Sequence, residues 1–148
     1  MKIVIGSDHA GYSYKSRLIE LAKSMGHTVL DIGTDSCQSV DYPDFGEKGA
    51  RAVACGEADI GILICGSGIG MDMVANKING IRSAVCWNEE TARLARDHNH
   101  ANILCLGARF LSLNECIEIT KIFITTPVSG KERHIRRVNK IMKVEERN

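Results

Sequence analysis

The chain has 148 residues, 44% of them apolar and 25% charged, with a formal net charge of +1. That length suits a single domain, 1–148, whose core is large enough to need no disulfide or metal staple. So small a net charge argues against nucleic acid and membrane surfaces as default partners, although residues 131–148 gather seven Lys/Arg against three Glu.

Met1–Gly6 is too short an apolar run for a signal peptide and reads as a first strand around Ile3–Ile5. Leu18, Ile19, Leu21, Ala22 and Met25 fall at helical spacing, which predicts a helix from about Tyr14 to Met25, capped by Gly26. Thr28–Ile32 reads as a second strand, and 33–43, with Gly33, Asp35, Ser36, Asp41 and Pro43, as a loop. A helix over Asp44–Cys55 leads to Ile60–Cys65, an apolar run typical of a strand buried on both faces. Gly66–Gly70 interrupts before a helix over Met71–Lys77. Ser83–Cys86 and Ile103–Leu106 read as strands on either side of a helix over Glu89–Asp97. Ser112 and Glu115 form a capping box for a helix running to about Thr125, and a basic helix over 131–146 follows Pro127 and Gly130. The alternation predicts an α/β fold with a mainly parallel five-stranded sheet sandwiched between helices, right-handed crossovers and ligands at the carboxyl ends of the strands.

No segment reaches the length of apolar chain that a membrane span requires. The six cysteines, at 37, 55, 65, 86, 105 and 116, include no CxxC pair and no zinc-like cluster, which fits a reduced cytoplasmic setting.

Polar residues gather where ligands would bind. The first strand ends in Ser7-Asp8-His9-Ala10-Gly11, the third in Cys65-Gly66-Ser67-Gly68-Ile69-Gly70, the fifth in Gly107-Ala108-Arg109, and the fourth helix in Asp97-His98-Asn99-His100. Three alternate glycines before a helix can form a nest of amides for a phosphate or a developing oxyanion, or simply a tight strand-to-helix turn. Cys65 beside that nest suits a base or nucleophile; the other reading is one more buried thiol. Asp8 could bind hydroxyls or cap the following helix, with His9 as phosphate ligand or solvated neighbour. His98 suits acid–base work, and a metal pair with His100 lacks further ligands. In the last helix Ile135, Val138 and Met142 form a stripe expected to face the core, with His134 at the margin of a basic face. Arg133 and Arg137, one turn apart, form either a phosphate clamp or part of that solvated face.

Taken together these stretches resemble the ribose-5-phosphate isomerase B family, which includes the galactose-6-phosphate isomerase subunits. Besides the segments at 6–11, 61–70 and 97–99, Val40-Asp41-Tyr42-Pro43, Ala75-Asn76-Lys77, Gly80-Ile81-Arg82, Ala101-Asn102, Arg133-His134 and Arg137-Val138 match, in the family's order. The resemblance implies a Rossmann-like three-layer α/β/α sandwich without metal or organic cofactor. It also implies a homodimer or tetramer in which a neighbouring subunit completes each site. Cys65 would move a proton between C2 and C1 of the open-chain sugar. Ser67 and the amides of Gly68, Ile69 and Gly70 would hold the enediolate oxygens, with Gly66 also among the substrate-binding residues. His98 would assist ring opening, while Asp8 and Asn99 bind hydroxyls. His9, Arg133 and Arg137 would bind the phosphate, with Arg109 supporting them or the contact between subunits. Met71-Asp72-Met73 and His100 depart from the family pattern, which suggests a different pocket floor.

The resulting expectation is a ribose 5-phosphate–ribulose 5-phosphate isomerase. A hexose-6-phosphate isomerase of the same family is the near alternative. From a different class comes a non-catalytic phosphate- or nucleotide-binding module of flavodoxin-like shape.

Overall fold

The computed structural model describes residues 1–147. Strands β1 (Lys2–Ser7), β2 (Thr28–Asp31), β3 (Ile60–Cys65), β4 (Ser83–Val85) and β5 (Ile103–Gly107) alternate with α1 (Tyr12–Ser24), α2 (Tyr42–Ala54), α3 (Ile69–Ala75) and α4 (Glu89–Asn99). Two further helices, α5 (Leu113–Thr125) and α6 (Glu132–Glu145), complete the chain. The strands lie in the order β2-β1-β3-β5-β4, and every pairing is parallel.

Strand parity divides the core. Ile3, Ile5, Ile62, Ile64, Leu104 and Leu106 face Leu18 of α1, Ala92 of α4 and Phe123 of α5. Val4, Leu63, Cys65, Ile103 and Cys105 point the other way, toward Ala50 and Val53 of α2 and Met71 and Ala75 of α3. Each large side chain so buried contributes about 1.5–3 kcal/mol. The alternation of side chains along β3 therefore sends Cys65 to the α2/α3 face.

That topology creates a crevice. β1 and β3 are neighbours, yet β1 leads into α1 on one face and β3 into α3 on the other. Where successive strands depart to opposite faces, their carboxyl ends leave room for a ligand. Asp8 and Cys65 stand on the two sides of that gap.

Several boundaries differ from the sequence reading for identifiable reasons. α2 starts at Tyr42, before Asp44, because Pro43 occupies its first turn, where a missing N–H costs nothing. The capping box of Ser112 and Glu115 forms as expected. On α6 the inward positions are His134 and Val138, while Ile135 is 41% exposed. Of the stripe expected to face the core, Val138 is buried and Met142 partly so, but the place expected for Ile135 is taken by His134, the histidine expected at the margin.

Candidate active site

At the carboxyl edge of β1, β3 and β5 lies a cleft of ≈ 390 Å³ lined by Asp8, His9, Tyr42, Cys65, Ser67 and Arg109. Gly66, Gly70 and Phe110 complete its wall. A larger recess of ≈ 560 Å³ lies between the C-terminal ends of α2 and α3, beside Arg51, Cys55 and Lys77. Size would favour that recess, but the smaller cleft is the one that brings a carboxylate, an imidazole, a thiol, a hydroxyl and a guanidinium together.

Cys65 is only 4% exposed, and it sits at the cleft's floor. The Gly68 amide donates to its sulfur at 3.1 Å. Gly68 reaches that position with φ of 78°, in the left-handed region open to glycine. The glycine loop is therefore organised around the thiol. Two of its amides already have partners, since the Ile69 N–H donates to Ser67 Oγ at 3.2 Å. The Ser67 O–H, Gly66 and Gly70 remain at the cleft wall, while the Ile69 side chain points outward, 44% exposed.

Asp8 has a structural role at the end of β1. One oxygen accepts the N–H groups of Ala10 at 2.9 Å and Gly11 at 3.2 Å, shaping the turn into α1. Its second oxygen is free of those contacts. His9 Nδ1 accepts the Val40 N–H at 3.2 Å, so its proton is carried on Nε2, ready to donate. The Arg109 side chain lies across Gly66, where a Cβ would come within 3.2 Å of its guanidinium. Tyr42 and Phe110 had no assigned role. Tyr42 packs so closely on Gly70 that a Cβ there would meet its ring at 2.6 Å. Its place beside Pro43 at a helix start, opposite the glycine loop, was the available signal.

His98, Asn99, Arg133 and Arg137 are not in this cleft. α4 runs back along the sheet, so its last turn lies near Ile103, where β5 begins. Cys65 pairs in register with Gly107, where β5 ends. The length of a five-residue strand, roughly 16 Å, thus separates the two groups within one chain. The polar end of the fourth helix, grouped with the strand ends in the sequence reading, is at the opposite sheet edge. Arg82 Nε donates to the His100 carbonyl at 3.0 Å and Arg96 Nη1 to that of Ala101 at 2.6 Å, fixing this turn. His98 lies 3.5 Å from Asp97 Oδ2 and stacks on His134. Arg133 and Arg137 share the adjoining exposed face of α6.

The departures at 71–73 do not reach the cleft floor. Met71 is fully buried, Asp72 half-buried and Met73 62% exposed. Burial raises the Asp72 pKa. His100 ends α4 with φ of 50°, its Nε2 2.9 Å from the Ser129 carbonyl. It is a structural cap, distant from the thiol.

A parallel sheet with a thiol and an amide loop at its switch point defines a class of α/β proteins built to hold a small polar substrate at the carboxyl edge. Residues 3–141 match the family model described as ribose/galactose isomerase, and the chain belongs to that family. Ribose-5-phosphate isomerase B of Mycobacterium leprae is 41% identical over 140 residues, covering 94% of this chain and 86% of that protein. Among solved structures, ribose-5-phosphate isomerase B of Clostridium thermocellum superposes with a TM-score of 0.96 at 48% identity, over 99% of each chain. The Mycoplasma genitalium enzyme with bound ribulose-5-phosphate superposes with a TM-score of 0.94 at 40% identity, over 99% of this chain and 97% of that one.

Proposed function

We propose that this protein interconverts D-ribose 5-phosphate and D-ribulose 5-phosphate through an enediolate, with Cys65 as the base. The observation that carries this reading is a thiol at the floor of a polar cleft, held by a glycine-loop amide. The Mycoplasma genitalium relative's bound ribulose-5-phosphate supports the substrate class.

The chemistry follows from what isomerisation demands. A proton leaves C2 of the open-chain aldose, negative charge grows on the C1 oxygen, the hydroxyl proton passes from O2 to O1, and the first proton returns at C1 as the C2 carbonyl forms, giving the ketose. Base and oxyanion donors must therefore adjoin, as Cys65 and the Ser67 hydroxyl do. The free oxygen of Asp8 accepts a sugar hydroxyl. His9 Nε2–H and Arg109 lie within the same cleft for the phosphate end.

A second copy of the chain supplies the rest. In the proposed homodimer, or a tetramer of such pairs, the α4–α6 corner of one subunit closes over the other's cleft. His98 then assists furanose opening, Asn99 binds a hydroxyl, and Arg133 with Arg137 clamps the phosphate, holding the reacting carbons at the sulfur. No cofactor enters the scheme. Six free thiols, among them the exposed Cys37 and Cys55, fit a reducing cytoplasm. Among the described residues no helix is long and apolar enough to cross a membrane.

The family's description also covers galactose, so a hexose 6-phosphate is the second reading. Side-by-side turnover of ribose 5-phosphate and allose 6-phosphate, with wild type and Cys65→Ala, decides. The pentose reading requires greater efficiency on ribose 5-phosphate and a fall of about 10²–10⁴-fold or more in Cys65→Ala. Higher efficiency on the hexose would overturn the pentose assignment. A wild type inert on every sugar phosphate would favour the binding module instead.

A further inference from the structure

The last turn of α4 and the first turn of α6 meet at two imidazoles. The ring centroids of His98 and His134 are 4.2 Å apart, with planes inclined at 43°. His134 is 3% exposed. Arg133 Nε donates to His134 Nε2 at 3.2 Å. A guanidinium has no lone pair to offer, so Nε2 must be the acceptor and the ring's one proton must sit on Nδ1. Nδ1 is buried and has no partner among the described residues. A phenylalanine or leucine would fill the slot without stranding a buried donor, so packing alone does not account for a histidine.

We infer that His134 is a positioning residue: as a neutral imidazole it backs the His98 ring and takes the Arg133 Nε–H, holding the ring-opening group and half of the phosphate clamp through one side chain. This rests on the roles proposed above for His98 and Arg133. With Nε engaged, the two terminal nitrogens of Arg133 remain for phosphate, the fork that gives bidentate binding.

The same geometry makes the arrangement sensitive to acid. The groups facing His134 are Asp97 and His98 from α4, and Lys131 and Arg133 from α6 and the residue before it. Burial, His98, Arg133 and Lys131 all disfavour a charged ring, and only Asp97 opposes them. Protonation would set an N–H against the Arg133 N–H and release the guanidinium.

Steady-state kinetics on ribose 5-phosphate with wild type, H134F and H134Q, from about pH 7.5 to about 5.5, test the inference. H134F keeps a ring behind His98 but offers no acceptor. Its KM should rise about tenfold or more while kcat stays within about threefold of wild type. H134Q places a carbonyl oxygen near the Nε2 position and should bring KM back to within about threefold of wild type. The wild-type-to-H134Q ratio of KM should climb on acidification; the substrate's own phosphate titrates in this range and cancels in the ratio. A wild-type KM in H134F, or equal losses in both variants with a pH-independent ratio, would overturn the inference. If H134F does not fold, the ratio decides alone, and a constant ratio is the negative result. A wild type without turnover sinks the isomerase reading itself, and that is seen before any variant is made.

Discussion

The Gly68 amide nitrogen lies 3.1 Å from the Cys65 sulfur, and the backbone reaches it only because residue 68 holds φ at 78°. A Cβ at that position would come within 2.9 Å of the Leu106 carbonyl carbon. Gly68→Ala therefore meets both left-handed strain, about 1–2 kcal/mol, and a backbone clash. The loop must shift and the amide leaves the sulfur. We expect a lower melting temperature and a fall in kcat, read by thermal unfolding and turnover. Gly66→Ala meets only the flexible Arg109 side chain, at 3.2 Å, and should keep most of its stability. Equal loss of stability in the two variants would show that the turn at 68 has no special constraint.

The cysteines divide by chemistry. Burial pushes the thiols of Cys86 and Cys116 up to about 11, and that of the fully buried Cys105 well above its ordinary value. At pH near 8 a thiol titrating at 11 is about 0.1% thiolate, too little for rapid alkylation. Iodoacetamide should label the exposed Cys37 and Cys55 and spare Cys86, Cys105 and Cys116. Loss of activity should follow labelling of Cys65, with ribulose 5-phosphate protecting it. Peptide mass mapping distinguishes the sites. Inactivation without modification at residue 65 would remove the thiol from the mechanism.

Acid should weaken the fold through His134. Its pKa in the folded protein lies below the ordinary 6.5, first because of burial and then because of His98 and Arg133. As pH falls through 6.5 the unfolded chain takes the proton before the native one does, so stability declines. The decline ends once the native imidazole is protonated too. Denaturant titrations across that window should give a shallower dependence on pH for His134→Gln than for wild type. Identical slopes would place the burden elsewhere.

How legible all this was depended on the kind of constraint. The run Ile60–Cys65 and the capping box at Ser112 are local patterns, and both the strand and the helix form where those patterns put them. The thiol's place at a strand end follows from the same local reading. On α6, hydropathy favoured Ile135 as the inward residue, whereas the packed position belongs to His134 against His98, a tertiary pairing that no hydropathy scale encodes. The distance between Cys65 and His98 within one chain was not legible in the residue pattern for another reason. Asp97–His100 stands close in sequence to β5, but at that strand's beginning, whereas Cys65 pairs at its end. Chain order does not distinguish the two edges of a sheet until the direction of each helix is known.

That separation gives the most direct test of the shared site. If His98 acts on the cleft of a second copy, Cys65→Ala and His98→Asn damage opposite halves of each site. A homodimer of either variant has two defective sites. A hybrid of the two has one site with both defects and one with an intact Cys65 and an intact His98. Random pairing makes half the dimers hybrids, each with one working site of two, so co-expression should recover about a quarter of wild-type specific activity. If the protein works as a single chain, or if His98 serves no site, the mixture will show only the mean of the two variants. Tagging one variant and isolating the hybrid should raise the recovery to about half of wild type, a value that depends on pairing alone and not on how strongly either substitution perturbs its own subunit.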